Sequence, residues 1–201
     1  MIDVAVTTLE AVGAAAWDAL AERSPSATVF QRHGWLRAWW DTCAPADAMP
    51  VVLTAHRAGQ LVGAAGMFVT ERGGDGPRGP QLRFIGDPHG DYHQVLSAGD
   101  DVEVLEVLVD AVERAMPRGG CVVLREVPEA SPLTAVLRAR SGVLGHVHEG
   151  APTVCPRLDL RGDAGEVVLR KEGFRRHARR LGRLGTVTVE HLRHAWAIRP
   201  H

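Results

Sequence analysis

Phe84-Ile85-Gly86-Asp87-Pro88-His89-Gly90-Asp91-Tyr92 is the stretch on which the fold turns. Gln81 to Ile85 has the apolar content of a short strand, and at Gly86 that pattern gives way to glycine, proline and acids. A loop at the end of a rigid strand is where folds tend to place function. Upstream stands Thr28-Val29-Phe30-Gln31-Arg32-His33-Gly34-Trp35-Leu36, and downstream an arginine-dense stretch from Arg175 to Arg183.

Working outward, Ile2–Val6 alternates as a first strand. Leu9, Val12, Ala16 and Leu20 have helical spacing and predict one helix over 9–22. A second helix is expected over 30–43, with Trp35, Trp39 and Cys43 at four-residue steps, a stripe that reads as core. Val51–Ala55 and Leu61–Phe68, joined by Ala58-Gly59, make a hairpin. The glycine- and proline-rich stretch 71–80 reads as a loop. Val102–Met116 is an amphipathic helix, Cys121–Val127 a buried strand, and Ser131-Pro132 the start of another helix, with proline at its favoured first position. Val143–His148 and Thr153–Leu160 read as two closing strands. The order is β-α-α-β-β-β-α-β-α-β-β, an α+β fold with a mixed, mostly antiparallel sheet flanked by helices. Residues 1–160 form one unit. In 161–201, Asp163-Ala164-Gly165-Glu166 starts a helix that Gly185 ends, and 186–190 is a strand. One helix and one strand cannot bury their own apolar faces, so 161–201 reads as the opening of an incomplete second unit.

The chain has 201 residues, 45% hydrophobic and 23% charged, with a formal net charge of −1, which is globular composition. No apolar run approaches the ~20 residues that span a bilayer. No basic-then-apolar leader opens the chain. Three widely spaced cysteines, Cys43, Cys121 and Cys155, fit no disulfide framework and suit a reducing compartment, so a cytoplasmic, membrane-free protein is expected. The charge is uneven. Residues 166–201 hold nine Arg or Lys and three acids, a surplus of six, which leaves the rest at −7.

Phe30-Gln31 with Trp35-Leu36 and Trp39-Trp40, the Gly59/Gly63 hairpin, Phe84-Ile85-Gly86 with Asp91-Tyr92, and Arg175-Arg176-His177-Ala178-Arg179-Arg180-Leu181 together resemble the CelD-like branch of GNAT acyltransferases. That branch is similar to the FemABX peptidyltransferases, which carry two GNAT-like units in tandem. The resemblance runs from about Ala27 to Glu190. It implies acetyl-CoA or another acyl-CoA as donor, a small amine or a sugar or polysaccharide precursor as acceptor, and a first unit that helps form the acceptor cleft. The second unit usually holds the donor. With that unit incomplete, the donor half would come from elsewhere, such as a second copy of the chain, and this chain alone is expected to bind acyl-CoA weakly or not at all.

The residues support that last point. A coenzyme A pyrophosphate suits a glycine-rich turn at a helix N-terminus. Arg179-x-x-Gly182 sits instead at a helix C-terminus, where the dipole opposes phosphate. The loop 86–92, where the pyrophosphate turn would fall, carries Asp87 and Asp91.

Asp91 and Tyr92 are the candidate catalytic pair, able to orient an amine or a hydroxyl, with Asp91 as base. The competing reading is a capping Asp91 and a packed Tyr92. Asp87, His89, Asp91 and His93 alternate in a way that could suit a divalent ion, yet turn chemistry explains the acids equally well. No metal site is expected. Gln31 and Trp35 are candidate acceptor contacts, against capping and core packing. Arg175, Arg176 and Arg179, with Arg180 and Arg183, surround an apolar seam of Phe174, Ala178 and Leu181. They leave three readings open: a solvated face, a binding face for an anionic glycan or nucleotide-sugar, or a nucleic-acid face, the last ranked lowest. The seam is expected to pack on the first unit or on a second copy.

Overall fold

The computed structural model describes residues 1–71, 77–141, 147–156, 170–186 and 188. The chain divides into a unit Met1–His148 and a unit Glu149–His201.

In the first unit, β1 (Ile2–Thr7), β2 (Met49–Arg57), β3 (Gln60–Thr70), β4 (Gln81–Phe84) and β6 (Cys121–Val123) lie in that order across one sheet, with β5 (Leu96–Ser97) also on β3. All pairs are antiparallel except β4 with β6, which run parallel. The α+β sheet expected from the sequence is therefore present, with helices on both faces. The β2–β3 hairpin turns at Ala58 and Gly59, both with positive φ (51° and 77°). A two-residue hairpin turn of the type I′ kind needs that conformation at both positions.

Each sheet face has its own core. On one, α4 (Val102–Ala115) sets Val104, Leu105, Leu108, Val109, Ala111 and Val112 against Leu53, Ala55, Ala65, Met67, Leu82 and Phe84, and α5 (Pro132–Ala139) adds Leu133 and Val136. On the other, α2 (Ala14–Glu22) and α3 (His33–Cys43) bring Trp17, Leu20, Leu36 and Trp39 against Val52, Ala64, Phe68 and Ile85. Cross-strand partners in the sheet alternate between the two cores, as the two-residue strand period requires.

Several elements differ from expectation. The helix over 9–22 is two helices, α1 (Leu9–Val12) and α2, because Gly13 between them takes φ +77°. The Thr8 hydroxyl accepts from the Ala11 N–H and starts α1. The helix over 30–43 is a 3₁₀ turn at Val29–Gln31 followed by α3, with Arg32 extended between them. The strand from Cys121 ends at Val123 and is half-buried. Thr153–Pro156 lies exposed and joins no strand, nor do Val147 and His148: none of these residues pairs with a described edge, and Pro156 has no N–H to offer one. The rest of both closing strands, the loop residues 72–76 and the helix start at Asp163–Glu166 lie outside the described residues. So does most of the strand expected over 186–190, of which Thr186 and Thr188 are in no strand.

In the second unit, α6 (Glu172–Leu184) ends against Gly185 (φ 152°). No residue of α6 is buried. Phe174 and Leu181 are 53% and 51% exposed.

Gly63 fixes the approach of α4. A Cβ there would lie 2.4 Å from Val104 Cγ1 and 2.8 Å from Leu108 Cδ1, with the Leu96 carbonyl at 3.2 Å. Gly63→Ala should therefore overpack the face and lower unfolding free energy by about 1–3 kcal/mol in urea titration. A variant as stable as the parent would show that α4 can shift outward freely.

Candidate functional site

Strand β3 is long enough to pair with two strands on one edge. Met67–Thr70 pairs with β4, and Gly63–Ala64 with β5. The chain between β4 and β5 must leave the sheet and return. Its departure is a tight turn at Gly86–Gly90, in which the N–H groups of His89 and Gly90 both donate to the Gly86 carbonyl (2.7 and 2.8 Å). The Asp87–Pro88 peptide is cis.

The turn folds Asp87 back over β4. Its Oδ2 accepts from Arg83 Nε and Nη2 at 2.7 and 2.6 Å, and the side chains are 1% and 9% exposed. Arg83 stands opposite Phe68, so the pair lies on the face that carries α3. A two-pronged guanidinium–carboxylate contact this dry holds the turn by charge-assisted bonds. Among the described residues, Asp87 Oδ1 accepts no hydrogen bond.

His93, 2% exposed, lies below the turn. Its ring stacks on Phe84 with centroids 5.3 Å apart and planes 8° apart, and its main-chain N–H donates to the Glu126 carbonyl at 3.0 Å. That bond ties the returning chain to the segment just past β6. Burial pushes the His93 imidazole below its ordinary range, and Asp87 and Asp91 pull it part of the way back. Next to it, the Ser131 hydroxyl donates to Gln94 at 2.6 Å and accepts from the Leu133 N–H, which links the loop to the cap of α5. A cavity of about 10 Å³, room for one water, lies between His93, Gln94, Gln31 and apolar neighbours.

The elements preceding and forming α3 cover the turn. Gln31 is buried, and both ends of its amide are engaged. Oε1 accepts from the Thr28 N–H and hydroxyl (2.8 and 2.9 Å), while Nε2 donates to the Tyr92 carbonyl at 3.1 Å. Its amide thus caps the turn at Thr28 and ties down the loop at Tyr92. Trp35 is half-buried, packs edge-on against Phe30 at 5.1 Å, and keeps its indole N–H buried without a partner beside Gly86. Trp39 is core, and its indole N–H donates to His89 Nδ1 at 3.0 Å. Because an indole can only donate, neutral His89 must carry its proton on Nε2. Asp91 and Tyr92 are exposed, Tyr92 at 47% with φ +54°. Gln31, Trp35, Asp91 and Tyr92 thus come together around one loop, with His89 added.

The alternation of Asp87, His89, Asp91 and His93 sends these side chains to separate partners, and among the described residues no group of three could hold a metal ion. Arg175, Arg176 and Arg179 lie exposed on α6, where Arg179 pairs with Glu172 at 2.6 Å.

The turn at 86–92 does not open a helix, as a pyrophosphate turn would. The helix after it, α4, starts ten residues later, because β5 intervenes. The N-terminus of α4 holds Asp100, Asp101 and Glu103, and the Asp101 carboxylate accepts from the Glu103 N–H at 3.0 Å. Asp101 titrates below the usual carboxylate range: desolvation, the largest influence, raises it, but hydrogen bonds from Arg57 and from the Glu103 and Val104 N–H groups outweigh that. These acids occupy the dipole end that a phosphate would need.

No family model matches the chain, and no curated protein does. Among solved structures, the aminoglycoside N-acetyltransferase AAC(6')-Iy in complex with CoA is similar with a TM-score of 0.47 and 16% identity, over 77% of this chain and 98% of that one. The aminoglycoside 6'-N-acetyltransferase AAC(6')-IG from Acinetobacter haemolyticus gives 0.43 and 14%, over 78% and 99%. A ribosomal-protein-alanine N-acetyltransferase from Brucella melitensis biovar Abortus 2308 gives 0.41 and 14%, over 77% and 98%. At this distance the likeness says nothing of substrate.

Removing one half of the Arg83–Asp87 pair leaves the other charge buried. Arg83→Met should cost about 3–5 kcal/mol in urea unfolding, and Arg83→Met with Asp87→Leu should regain most of it. A single variant within about 1 kcal/mol of the parent would mean the pair is wet in solution.

Proposed function

We propose that this chain is the acceptor-binding part of an acyl-CoA-dependent N-acyltransferase of the GNAT type, in the CelD-like and FemABX-like tandem branch. Its acceptor is a small amine or a sugar or polysaccharide precursor. The observation that carries the reading is the parallel pair β4–β6 in an otherwise antiparallel sheet, with the Gly86–Tyr92 loop at its end and Asp91, Tyr92 and His89 on the loop's exposed side. The run β4, loop, α4, β6, α5 follows the order expected from the sequence, with an aromatic and acidic edge where an acceptor would enter.

In this reading Asp91 receives the proton of the attacking amine, and the Tyr92 hydroxyl and the His89 Nε2–H orient the acceptor by donating to its oxygens. Trp35 gives an apolar wall, and Gln31 holds the loop through the Tyr92 carbonyl. Acetyl-CoA, or another acyl-CoA, is the expected donor. The described residues of the first unit do not fit its pyrophosphate: Arg57 is committed to Asp101 and Glu103 at 2.9 and 2.7 Å, and no glycine-rich turn opens α4. The donor would be held outside the described residues of the first unit or by a second copy, and the cytoplasm is the expected compartment. Among the described residues no helix is long and apolar enough to cross a membrane.

A second reading has an observation of its own. Helical spacing puts Arg175, Arg176, Arg179, Arg180 and Arg183 of α6 on one arc, opposite Phe174, Ala178 and Leu181, and all are exposed. Such a face suits a non-catalytic module for an anionic glycan, a nucleotide-sugar or, less well, nucleic acid.

Titration calorimetry with acetyl-CoA, followed by acceptor-dependent CoA release across amines and amino sugars, separates the readings. We expect donor binding weaker than about 100 µM. At saturating donor we expect acceptor-dependent release that falls at least about tenfold in Asp91→Asn, equivalent to ~1.4 kcal/mol of barrier. Absence of release with any amine, together with anion binding that Arg176→Glu/Arg180→Glu abolishes, would favour the binding module.

A further inference from the structure

We propose that His93 is the positioning residue of the Asp91–Tyr92 edge, and that it holds that edge only while its imidazole is neutral. This rests on the reading that the loop edge meets the acceptor. The geometry of the ring points to it. A Cβ added at Gly86 would lie 2.9 Å from His93 Cε1, and one at Gly90 would lie 2.8 Å from Cε1 and 3.2 Å from Nε2. The turn therefore closes on the imidazole from one side, and Phe84 stacks on it at 5.3 Å. Nothing larger than glycine fits at either position without moving the ring. The ring acts as the form around which the turn is wrapped.

His93 is also one residue from Tyr92 and two from Asp91, and its own N–H is fixed on Glu126. Whatever moves the ring moves that edge. The edge is restrained from the other side by Gln31 on the Tyr92 carbonyl, and Tyr92 sits in the left-handed region, which a free chain would leave.

The ring's environment suits a neutral group. Nε2 is buried and, among the described residues, has no hydrogen-bond partner. The charged groups around it are Asp87 and Asp91 on the turn and, through Asp87, Arg83 on β4. Glu126 faces it with a main-chain carbonyl, and Gln94 and Ser131 on the α5 side are neutral. Asp87 is shared with Arg83 and Asp91 is exposed, so their pull, with that of the Gly90 main chain, offsets only part of the burial cost of a proton on His93. Burial depresses the group, so the unfolded or opened chain binds the proton more readily. The closed loop is therefore fully favoured above about pH 6.5, the ordinary histidine value, and loses ground as pH falls below it.

Amide hydrogen exchange over residues 86–92 of the full chain, from pH 8 to pH 5 and corrected for intrinsic rates, reads this directly. Protection should fall about tenfold or more toward pH 5, because the open loop takes up the proton that the closed loop resists. His93→Gln should make protection independent of pH over that range. Gly90→Ala keeps every titrating group and displaces the ring, and should lower protection already at pH 8. A flat profile in the parent, an unchanged slope in His93→Gln, or full protection in Gly90→Ala would each overturn the inference. Where acceptor-dependent CoA release is found, His93→Gln should raise the acceptor KM more than it lowers kcat. Absence of release would remove the acyltransfer reading, and the exchange result would still decide whether His93 holds the loop.

Discussion

Strand β3 gives one of its edges to two different strands, and the arrangement of the candidate site follows from that. Because β4 takes Met67–Thr70 and β5 takes Gly63–Ala64, the intervening chain cannot run along the edge and must arch away from it. An arch that starts and ends in a buried sheet carries polar backbone through a dry region, which is costly unless each group finds a partner. The Gly86 carbonyl takes two N–H groups, the Glu126 carbonyl takes that of His93, and the Tyr92 carbonyl takes Gln31. The loop is rigid where it is buried and open to solvent at Pro88, His89, Asp91 and Tyr92. A scaffolded loop with an exposed polar tip is the physical form of a recognition site.

The helices divide the remaining work. α4 and α5 hold one sheet face by aliphatic packing, while α3 holds the other with tryptophans. Trp39 does both jobs. Its rings pack on Phe68 at 5.4 Å while its N–H reaches His89. A core residue thus sets the tautomer of an exposed histidine, so the chemistry offered at the surface depends on packing beneath it. The acids at the start of α4 act the other way, turning a helix N-terminus that could hold phosphate into one that repels it.

Much of the frame was legible in the residues. The β2–β3 hairpin, α4 and the proline-started α5 have strong periodicity and clear punctuation, and the structure places them within a few residues of expectation. Gly13 was harder to read, because Leu9, Val12, Ala16 and Leu20 keep a helical spacing across the break. Strand β5 has two residues, too few for any period. Gln31, Trp35, Asp91 and Tyr92 were found as candidates, but the groups that hold them were not. An arginine in a strand reads as solvent-facing, and only the Gly-Asp-Pro turn, by bringing Asp87 back, allows Arg83 to be buried. His93 read as one of four alternating metal candidates. That it instead fills the inside of the turn depends on the missing side chains of Gly86 and Gly90, and becomes evident once the turn is closed in space.

Two of the ion-pair groups in the first unit also differ in what surrounds them. Arg57 with Asp101 and Glu103 is open to solvent, whereas Arg83 with Asp87 is sealed. Mobile ions at physiological strength screen charges over about 8 Å of water and reach a dry pair far less. Raising ionic strength would therefore loosen the start of α4 and leave the turn beneath Asp91 and Tyr92 unchanged. The protein can meet a change in its salt environment at one end of a helix while the loop that carries Asp91 and Tyr92 keeps its shape.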